Sequence, residues 1–373
     1  MGNPGLKSFR TWMLVFTLVM VVILVVSAWH EVQGVAEYLA HANYWILALL
    51  IPVQCISYLS TGESMFSYLR SRGQLKGVRT TSAMRMSLEF NFLNHIVPSG
   101  GAAGLSFLSW KLGFFKVSPG DSILAQLVRF VASFSSYILL LLVVITWKVF
   151  SDTLAPSELT ISVALTLISG AAITLITLTI RNEKLVLAVT DRAVRGINAL
   201  FRRIPRVRKN VLKVDQAHRF ARDMGGAYVE LRANPKALIL PFAWSLIFNL
   251  ADVALFYITF CSIGAEVNFG TLLIAYGIST ICSIIVITPG GTGLYELLMV
   301  AILTLGGVTA AEAIAGTIIT RAILLLGTVL FGYAFYHHTI LKFGKNTHHE
   351  NISTAVIQTK PSRATPPPPT RPE

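Results

Sequence analysis

A series of apolar runs, each long enough to cross a lipid bilayer, constrains the fold of this chain more than any other feature. The runs lie at about 11–29, 44–69, 119–149, 159–180, 237–262 and 313–336. A helix of about 20 apolar residues spans the roughly 30 Å hydrocarbon core. Only 13% of the residues are charged, whereas soluble proteins carry about 25%. The sequence therefore predicts an all-α polytopic membrane protein with six full spans. It excludes a soluble enzyme, a secreted disulfide scaffold and a disordered chain.

The distribution of basic residues predicts the orientation of these spans. The connections 30–43, 150–158 and 263–268 contain no Lys or Arg, whereas fourteen basic residues lie between Arg181 and Lys236. Cytoplasmic loops of membrane proteins are enriched in Lys and Arg, so we expect both termini to lie in the cytoplasm. The chain is accordingly predicted to be a multi-pass protein of the cell membrane, that is, the plasma or inner membrane.

Two further apolar regions, 86–114 and 269–306, are interrupted by glycine-rich stretches. The charge pattern puts both ends of the first region on the cytoplasmic side and both ends of the second on the outer side. Irregular backbone at membrane depth is tolerated only inside protein or beside a wet cavity. The short arms favour two re-entrant helical hairpins, which gives about eight membrane segments. Two full spans per region would give the same orientation and remain the alternative.

The two halves of the chain, about 44–149 and 237–336, contain the same features in the same order. A glycine-rich turn follows Pro98 in the first half and Pro289 in the second. An acid precedes and an arginine follows each turn at similar spacing: Glu63 and Arg129 in the first half, Asp252 and Arg321 in the second. The deduced directions of the halves are opposite. This pattern predicts an inverted-topology repeat, an architecture of membrane carriers.

Six charged side chains fall inside predicted membrane segments: Glu63, Glu89, Arg129, Asp252, Glu296 and Arg321. A charge in the bilayer costs about 2.5–3.5 kcal/mol on insertion scales, so each needs a partner or a function. Because a guanidinium can bind phosphate in a bidentate manner, Arg129 and Arg321 are candidate lipid-binding residues. In the structural alternative, these arginines neutralise Glu63, Asp252 or Glu296. Glu63, Asp252 and Glu89 are thus candidates for ion pairing or proton coupling.

The glycine-rich turns offer backbone N–H groups that suit an anion at a half-helix N-terminus. Five glycines are therefore candidate lipid-binding positions: Gly100, Gly101, Gly290, Gly291 and Gly293. Close helix packing alone is the alternative role for these small residues. Asn94 adds a polar side chain just before the first turn. The sequence shows no metal-ligand spacing and no nucleophile–base pair, so we expect no catalytic residue, no metal and no cofactor.

Residues 1–344 form the predicted membrane domain, which contains a basic cytoplasmic insert at 181–236. The amphipathic helices of this insert are expected to bind anionic lipids of the inner leaflet, where each Lys or Arg contributes about 1 kcal/mol. Nucleic-acid binding is not expected, because no stacking aromatic residues alternate with the charges. Residues 345–373 form a Pro-rich cytoplasmic tail that is predicted to be disordered.

The two turn motifs resemble those of a known membrane family. Asn94-x-x-x-Pro98-Ser-Gly-Gly and Thr288-Pro-Gly-Gly-Thr-Gly-Leu-Tyr295-Glu296, followed by Arg321, look like the lysylphosphatidylglycerol synthase transmembrane region, over about residues 8–340. The resemblance implies a flippase-like domain, and it adds Tyr295 to the candidate lipid-binding residues. In bifunctional relatives a separate soluble domain makes the lipid. We expect this chain to move a lipid that a separate lipid-modifying enzyme supplies.

The leading functional hypothesis is a translocase for an anionic, aminoacylated or polyprenyl-linked lipid. The alternative is a proton-coupled transporter of small solutes, with Asp252 or Glu63 as the proton site. A third hypothesis is a membrane enzyme that acts on a lipid-linked substrate with Glu296 as base, but this hypothesis lacks a nucleophile or a metal set.

Overall fold

The computed structural model describes residues 36–97, 102–151, 156–182, 233–285 and 293–343, together with positions 187, 188, 192 and 229. Within these residues the chain is helical and contains no β-strand. The helices are α1 (Ala36–His41), α2 (Tyr44–Ala48), α3 (Leu50–Ser71), α4 (Thr80–Ile96), α5 (Ala102–Gly113), α6 (Pro119–Phe150), α7 (Pro156–Arg181), α8 (Ile239–Ser262), α9 (Phe269–Ile285), α10 (Leu294–Leu305) and α11 (Ala310–Phe343). The all-α prediction holds for the described part of the chain.

Five described segments are long and apolar enough to cross a membrane. They are Tyr44–Ser71, Pro119–Phe150, Pro156–Thr179, Pro235–Ser262 and Ala310–Lys342. Each of them overlaps one of the predicted full spans. The remaining predicted span, 11–29, lies outside the described residues. The chain is therefore a multi-pass helical membrane protein.

Each half also contains a pair of shorter helices between two long ones. In the first pair, α4 has 17 residues and α5 has 12. In the second pair, α9 likewise has 17 residues and α10 has 12. The first pair begins at Thr80, earlier than the predicted start at residue 86, because hydropathy does not register its polar first turn. The predicted turns at 98–101 and 286–292 lie outside the described residues.

Capping side chains explain where two of the membrane helices begin. The Ser118 hydroxyl accepts a hydrogen bond from the Asp121 N–H at 3.0 Å, and Pro119 occupies the first turn of α6. Both residue types are favoured at these positions of a helix. Asn43 caps α2 in the same way, since its Oδ1 accepts from the Trp45 N–H at 3.1 Å. The Asn43 N–H donates to the Ser262 carbonyl at 2.7 Å, which ties this end of the first described span to the end of α8.

The packing of α3 against α4 depends on a glycine. A Cβ added at Gly62 would lie 2.5 Å from the carbonyl carbon of Ala83 and 2.7 Å from the Ser87 hydroxyl. Helices in a membrane gain little from the hydrophobic effect on association, so small residues that permit close contact are enriched between them. Gly62 therefore sets the distance between the first long helix and the first short pair.

Each short pair packs against a long helix of the other half. Phe92 of α4 and Phe107 of α5 share a core cluster with Tyr336 of α11. In the opposite sense, α9 packs on α6, where the Tyr137 hydroxyl donates a hydrogen bond to the Leu273 carbonyl at 3.1 Å. Each half consequently packs into the core of the other half, and the two do not form separate units.

The long helices expose large apolar side chains on their outer surfaces. Examples are Leu142 and Val143 on α6, Leu167 and Leu175 on α7, and Leu330 and Phe331 on α11. Large exposed apolar surface marks contact with a membrane or a partner, and here it faces away from the core. The predicted basic insert at 181–236 and the tail at 345–373 lie mostly outside the described residues, so their roles stay predictions.

Candidate functional site

Arg321, on α11, is the centre of a polar cluster at the start of α10. Its Nη1 lies 2.7 Å from Oε1 of Glu296, and its guanidinium carbon lies 4.4 Å from the centre of the Tyr295 ring. The other carboxylate oxygen of Glu296 accepts a hydrogen bond from the Gly293 N–H at 2.6 Å. Glu296 thus caps α10 in the manner of a capping-box acid and joins α11 to this helix start.

Gly293 occupies a backbone conformation that favours glycine. Its φ is +95°, a region that side chains with a Cβ rarely adopt. This residue leads the chain out of the second glycine-rich turn and into α10. The other candidate glycines, Gly100, Gly101, Gly290 and Gly291, lie outside the described residues, so their predicted contact with lipid stays a prediction.

Asp252, on α8, is held by hydroxyl groups. Its Oδ1 accepts a hydrogen bond from the Ser57 hydroxyl at 2.6 Å, and its Oδ2 accepts one from the Tyr276 hydroxyl at 2.9 Å. Because Ser57 lies on α3 and Tyr276 on α9, the carboxylate joins helices from both halves. Within the described part of the chain, no Lys, Arg or His forms an ion pair with Asp252.

A path of hydroxyl groups links Asp252 to the Arg321 cluster. The Thr280 side chain hydrogen-bonds with Tyr276 and also with Tyr295. Tyr295 in turn stacks beneath the Arg321 guanidinium. The polar groups of α8, α9, α10 and α11 therefore form one connected set inside the second half.

Arg129, on α6, has a different environment from Arg321. Its Nε donates a hydrogen bond to Oε1 of Gln126 at 3.0 Å. The guanidinium carbon lies 5.6 Å from the centre of the Phe90 ring and 4.8 Å from that of Phe130, so two aromatic rings contribute cation–π attraction. No carboxylate within the described ranges forms an ion pair with Arg129.

A small cavity lies beside Arg129, between α3, α4, α5 and α6. It has room for about one water molecule. Its lining combines polar with apolar side chains: Thr61, Met65, Met86, Ser87, Phe90, Leu108, Gln126 and Arg129. The Arg129 guanidinium and the Gln126 amide give this cavity a polar lining inside the first half.

Asn94 joins the two arms of the first short pair. Its Oδ1 accepts a hydrogen bond from the Gly104 N–H at 3.0 Å. A Cβ added at Gly104 would lie 2.5 Å from the same oxygen, so the contact depends on glycine. Asn94, a predicted lipid-binding candidate, thus connects the two arms that flank the first turn through its amide oxygen.

The intramembrane acids are paired in part as the structural alternative suggested. Arg321 does pair with Glu296. Glu63 instead receives two hydrogen bonds from Arg70, at 2.5 and 3.1 Å, because Arg70 lies two turns further along the same helix. Among the described residues, neither Arg129 nor Arg321 pairs with Glu63 or Asp252.

Glu89 is the most heavily bonded of the predicted acids. It forms ion pairs with Arg85, at 3.0 Å, and with Lys111. It also accepts a hydrogen bond from the Thr339 hydroxyl at 2.7 Å. Because this carboxylate is fully buried and neutralised, it holds α4, α5 and α11 together and offers no open site.

Sequence reasoning missed several of these residues. The sequence analysis does not single out Lys111 of the Glu89 cluster, nor Lys148, which is buried and pairs with Glu158 at 2.5 Å. An acid inside or next to the same apolar region was an available signal in both cases. The sequence contained no such signal for Ser57 or Tyr276, because they contact Asp252 from positions 195 and 24 residues away, respectively.

The similarity of this chain to known proteins extends over both short helix pairs. The family model of the Lysylphosphatidylglycerol synthase TM region matches residues 12–332. That range includes the Arg129 cavity, the Asp252 site and the Arg321 cluster. A search among curated proteins finds no match to the chain. The family match covers most of the chain and agrees with the resemblance of the turn motifs, and the chain therefore belongs to the lysylphosphatidylglycerol synthase transmembrane-region family.

Proposed function

We propose that this protein is a translocase for anionic lipids and that the Arg129 guanidinium binds the lipid phosphate. One observation carries the proposal. Of the two arginines predicted to lie inside membrane segments, Arg321 is paired with Glu296, whereas Arg129 has no carboxylate partner among the described residues. A ligand that brings a negative charge would complete the environment of Arg129.

The position of Arg129 makes this charge balance important. Arg129 lies ten residues after the first residue of α6, which is about 15 Å along a helix with a rise of 1.5 Å per residue. Because α6 has 32 residues, and so is about 48 Å long, Arg129 lies about 8 Å from its midpoint and inside a hydrocarbon core of roughly 30 Å if the helix is centred in the membrane. A cation at this depth is unfavourable by about 2.5–3.5 kcal/mol on insertion scales. The two aromatic rings offset part of this cost, and a phosphate offers the bidentate partner that suits a guanidinium.

Access from the lipid phase supports a lipid as the ligand. Phe130, whose ring contacts the Arg129 guanidinium, is 39% exposed on the outside of α6. A headgroup that reaches Arg129 past this ring can keep its acyl chains in the bilayer. A central pocket for a soluble solute would instead be enclosed on all sides.

We assign a positioning role to Arg321, Glu296 and Tyr295. The carboxylate of Glu296 both caps α10 and pairs with Arg321. This arrangement orients the second glycine-rich turn, whose N–H groups we expect to face the transport path. We expect the loss of any of these contacts to alter the conformation of the turn more than it alters the electrostatic potential along the transport path.

We further propose that the two short pairs are re-entrant hairpins related as an inverted repeat. A helix of 12 residues, such as α5 or α10, is about 18 Å long and too short to cross the membrane alone. The matching lengths of the two pairs, and their matching place between long helices, support the repeat. Broken helices that meet near the midplane are typical of carriers with this symmetry.

The distribution of basic residues completes the proposal. We propose a protein of the cell membrane with both termini in the cytoplasm, where the basic insert at 181–236 contacts anionic lipids. The chain would carry a lipid and leave its synthesis to a separate enzyme. The substrates that fit this site share a phosphate group: anionic, aminoacylated and polyprenyl-linked lipids.

A reconstitution assay tests the proposal directly. The protein is inserted into vesicles that contain phosphatidylglycerol with a fluorescent label on one acyl chain, and dithionite is added to bleach label in the outer leaflet. We expect wild-type protein to make most of the label accessible, whereas Arg129→Gln should leave about half protected, as in protein-free vesicles. A labelled monoglycosyl diacylglycerol, which lacks a phosphate, serves as the substrate control.

Arg129→Lys refines the result, because lysine keeps the charge but loses the bidentate geometry. We expect it to retain a small part of the activity. Full activity of Arg129→Gln, with correct folding, would remove Arg129 from the site. No movement of any labelled lipid by the wild-type protein would contradict the proposed function itself.

A further inference from the structure

Asp252 is the exception among the four acids predicted to lie inside membrane segments. Glu63, Glu89 and Glu296 each have a basic partner: Arg70, Lys111 and Arg321, respectively. Asp252 is bound only by two hydroxyl groups, from Ser57 and Tyr276. Its place in the second half corresponds to that of Glu63 in the first, so the pairing is lost at one of two related positions.

A carboxylate without a counter-charge is costly at this depth. Asp252 lies thirteen residues after the first residue of α8, about 20 Å along the helix. Ionised groups in such surroundings either gain an opposite charge or become neutral by taking up a proton. In the part of the chain that the structure describes, the titratable groups that act on Asp252 from the neighbouring helices are phenols: Tyr58 of α3, Tyr276 of α9 and Tyr295 of α10.

We propose that Asp252 is a proton-binding site that couples a proton gradient to lipid movement, an inference that rests on the translocase function proposed above. A proton binds to one carboxylate oxygen and converts the charged group into a neutral acid. No electron transfer and no further reactant are needed. The bound proton leaves from the same oxygen when the site faces the other side of the membrane.

The hydrogen bonds of Asp252 explain how proton binding could move the helices. The ionised carboxylate accepts from both hydroxyls, which holds α3, α8 and α9 together. A neutral carboxylic acid has an O–H donor of its own, so one of the two hydroxyls must turn or leave. If the Tyr276 hydroxyl turns, Thr280 is the other polar group that it already contacts.

The same change reaches the helix start that follows the second glycine-rich turn. Thr280 also contacts Tyr295, and Tyr295 packs against Arg321. Protonation of Asp252 is thereby coupled to the start of α10. A lipid at Arg129 in the first half and a proton at Asp252 in the second would act on opposite hairpins of one interlocked core.

The experiment uses the same vesicles with a pH difference of one unit, and potassium with valinomycin holds the membrane potential at zero. If one proton is coupled to each lipid, the leaflet ratio of labelled phosphatidylglycerol should change by up to about tenfold per pH unit. Asp252→Asn should abolish this response while it retains gradient-independent movement. Asp252→Glu, which keeps the acid, should restore part of it. Ser245→Ala, on the same helix, is the control and should behave as wild type.

A second measurement does not depend on the lipid. Infrared difference spectra of the purified protein should show the carbonyl stretch of a protonated carboxylic acid on acidification, and Asp252→Asn should remove it. Lipid movement without any response to the pH gradient, or an equal response in Asp252→Asn, would overturn the proton site and leave the translocase intact. A response to a sodium gradient alone would also overturn it. If the wild type moves no lipid, the translocase fails, and absence of the Asp252 band then rejects the proton site as well.

Discussion

The Glu89 carboxylate and the Lys111 ammonium, on the two arms of the first short pair, form a buried ion pair that also includes Thr339 of α11. The Lys111 ammonium lies 3.2 Å from the Thr339 hydroxyl, which itself donates to Glu89 at 2.7 Å. A related group attaches the second short pair, where Lys148 of α6 contacts both Glu158 of α7 and the Thr271 hydroxyl of α9. Each short pair is therefore attached at one end by a lysine, a glutamate and a threonine.

Removal of Glu89 should destabilise the protein strongly. Glu89→Gln leaves the Lys111 ammonium buried without a carboxylate, and breaking such a pair costs about 3–5 kcal/mol. The double variant Glu89→Leu with Lys111→Met removes both charges and should recover most of this loss, because well-packed apolar residues often replace a buried pair at little cost. Thermal unfolding in detergent, followed by tryptophan fluorescence, measures both. Equal instability of the single and double variants would argue against an electrostatic cause.

Gly62 should tolerate no larger side chain. Gly62→Val places a branched side chain against the Ala83 backbone, and overpacking of this kind typically costs about 1–3 kcal/mol. Gly170→Ala is the matched control, because nothing lies within 4 Å of a Cβ at that helical position. It should stabilise the protein by about 0.5–1 kcal/mol through helix propensity. The same unfolding measurement distinguishes the two, and a stable Gly62→Val would show that α3 and α4 can separate freely.

Asn94 and Gly104 should be energetically coupled. Gly104→Ala forces its new Cβ against the Asn94 amide, which should lower the unfolding temperature. Asn94→Ala removes the hydrogen bond, a loss of about 1 kcal/mol, but also opens the space that the new Cβ needs. The double variant should therefore be more stable than the sum of the single effects predicts. A double-mutant cycle measures this coupling, and strict additivity would mean that the two arms do not touch here.

The two intramembrane arginines should respond oppositely to removal. Arg321→Ala leaves Glu296 without its partner and should reduce thermal stability. Arg129→Ala removes a cation that has no carboxylate partner in the described part of the chain, so stability should be unchanged or increased. Unfolding temperatures in detergent check both. A larger loss of stability in Arg129→Ala than in Arg321→Ala would show that Arg129 is a structural residue.

Single cysteines should report the orientation of the chain. In a variant with Cys55, Cys261 and Cys282 replaced by alanine, cysteine is introduced at Glu37, Lys76 or Glu266, all of which are exposed. We expect an impermeant thiol reagent to label Glu37→Cys and Glu266→Cys from outside intact cells. Lys76→Cys should react only after permeabilisation. Labelling of Lys76→Cys in intact cells would reverse the proposed orientation.

The sequence was sufficient to predict the five described spans because they depend on a local property. Runs of apolar side chains determine membrane insertion residue by residue, so the predicted 119–149 and the observed Pro119–Phe150 agree closely. The start of α4 was less accurate, because its first turn is polar and its helical structure is supported by packing.

The partners of the charged residues were harder to predict because they depend on three-dimensional contacts. Glu63 forms an ion pair with Arg70, which lies on the same helix. The spacing of these two residues in the sequence could have predicted that pair. The binding of Asp252 by Ser57 and Tyr276 depends on how α3, α8 and α9 pack. A single sequence contains no pattern from which this contact could be predicted.

The packing of each short pair on a long helix of the other half has a consequence for how the chain can be divided. A polypeptide that ended before α8 would leave Phe92 and Phe107 without Tyr336, and one that began there would leave Leu273 without the Tyr137 hydroxyl. Neither fragment could form a complete hydrophobic core on its own. Two fragments made together, however, carry complementary surfaces and should assemble in the membrane, as subunits of a dimer would.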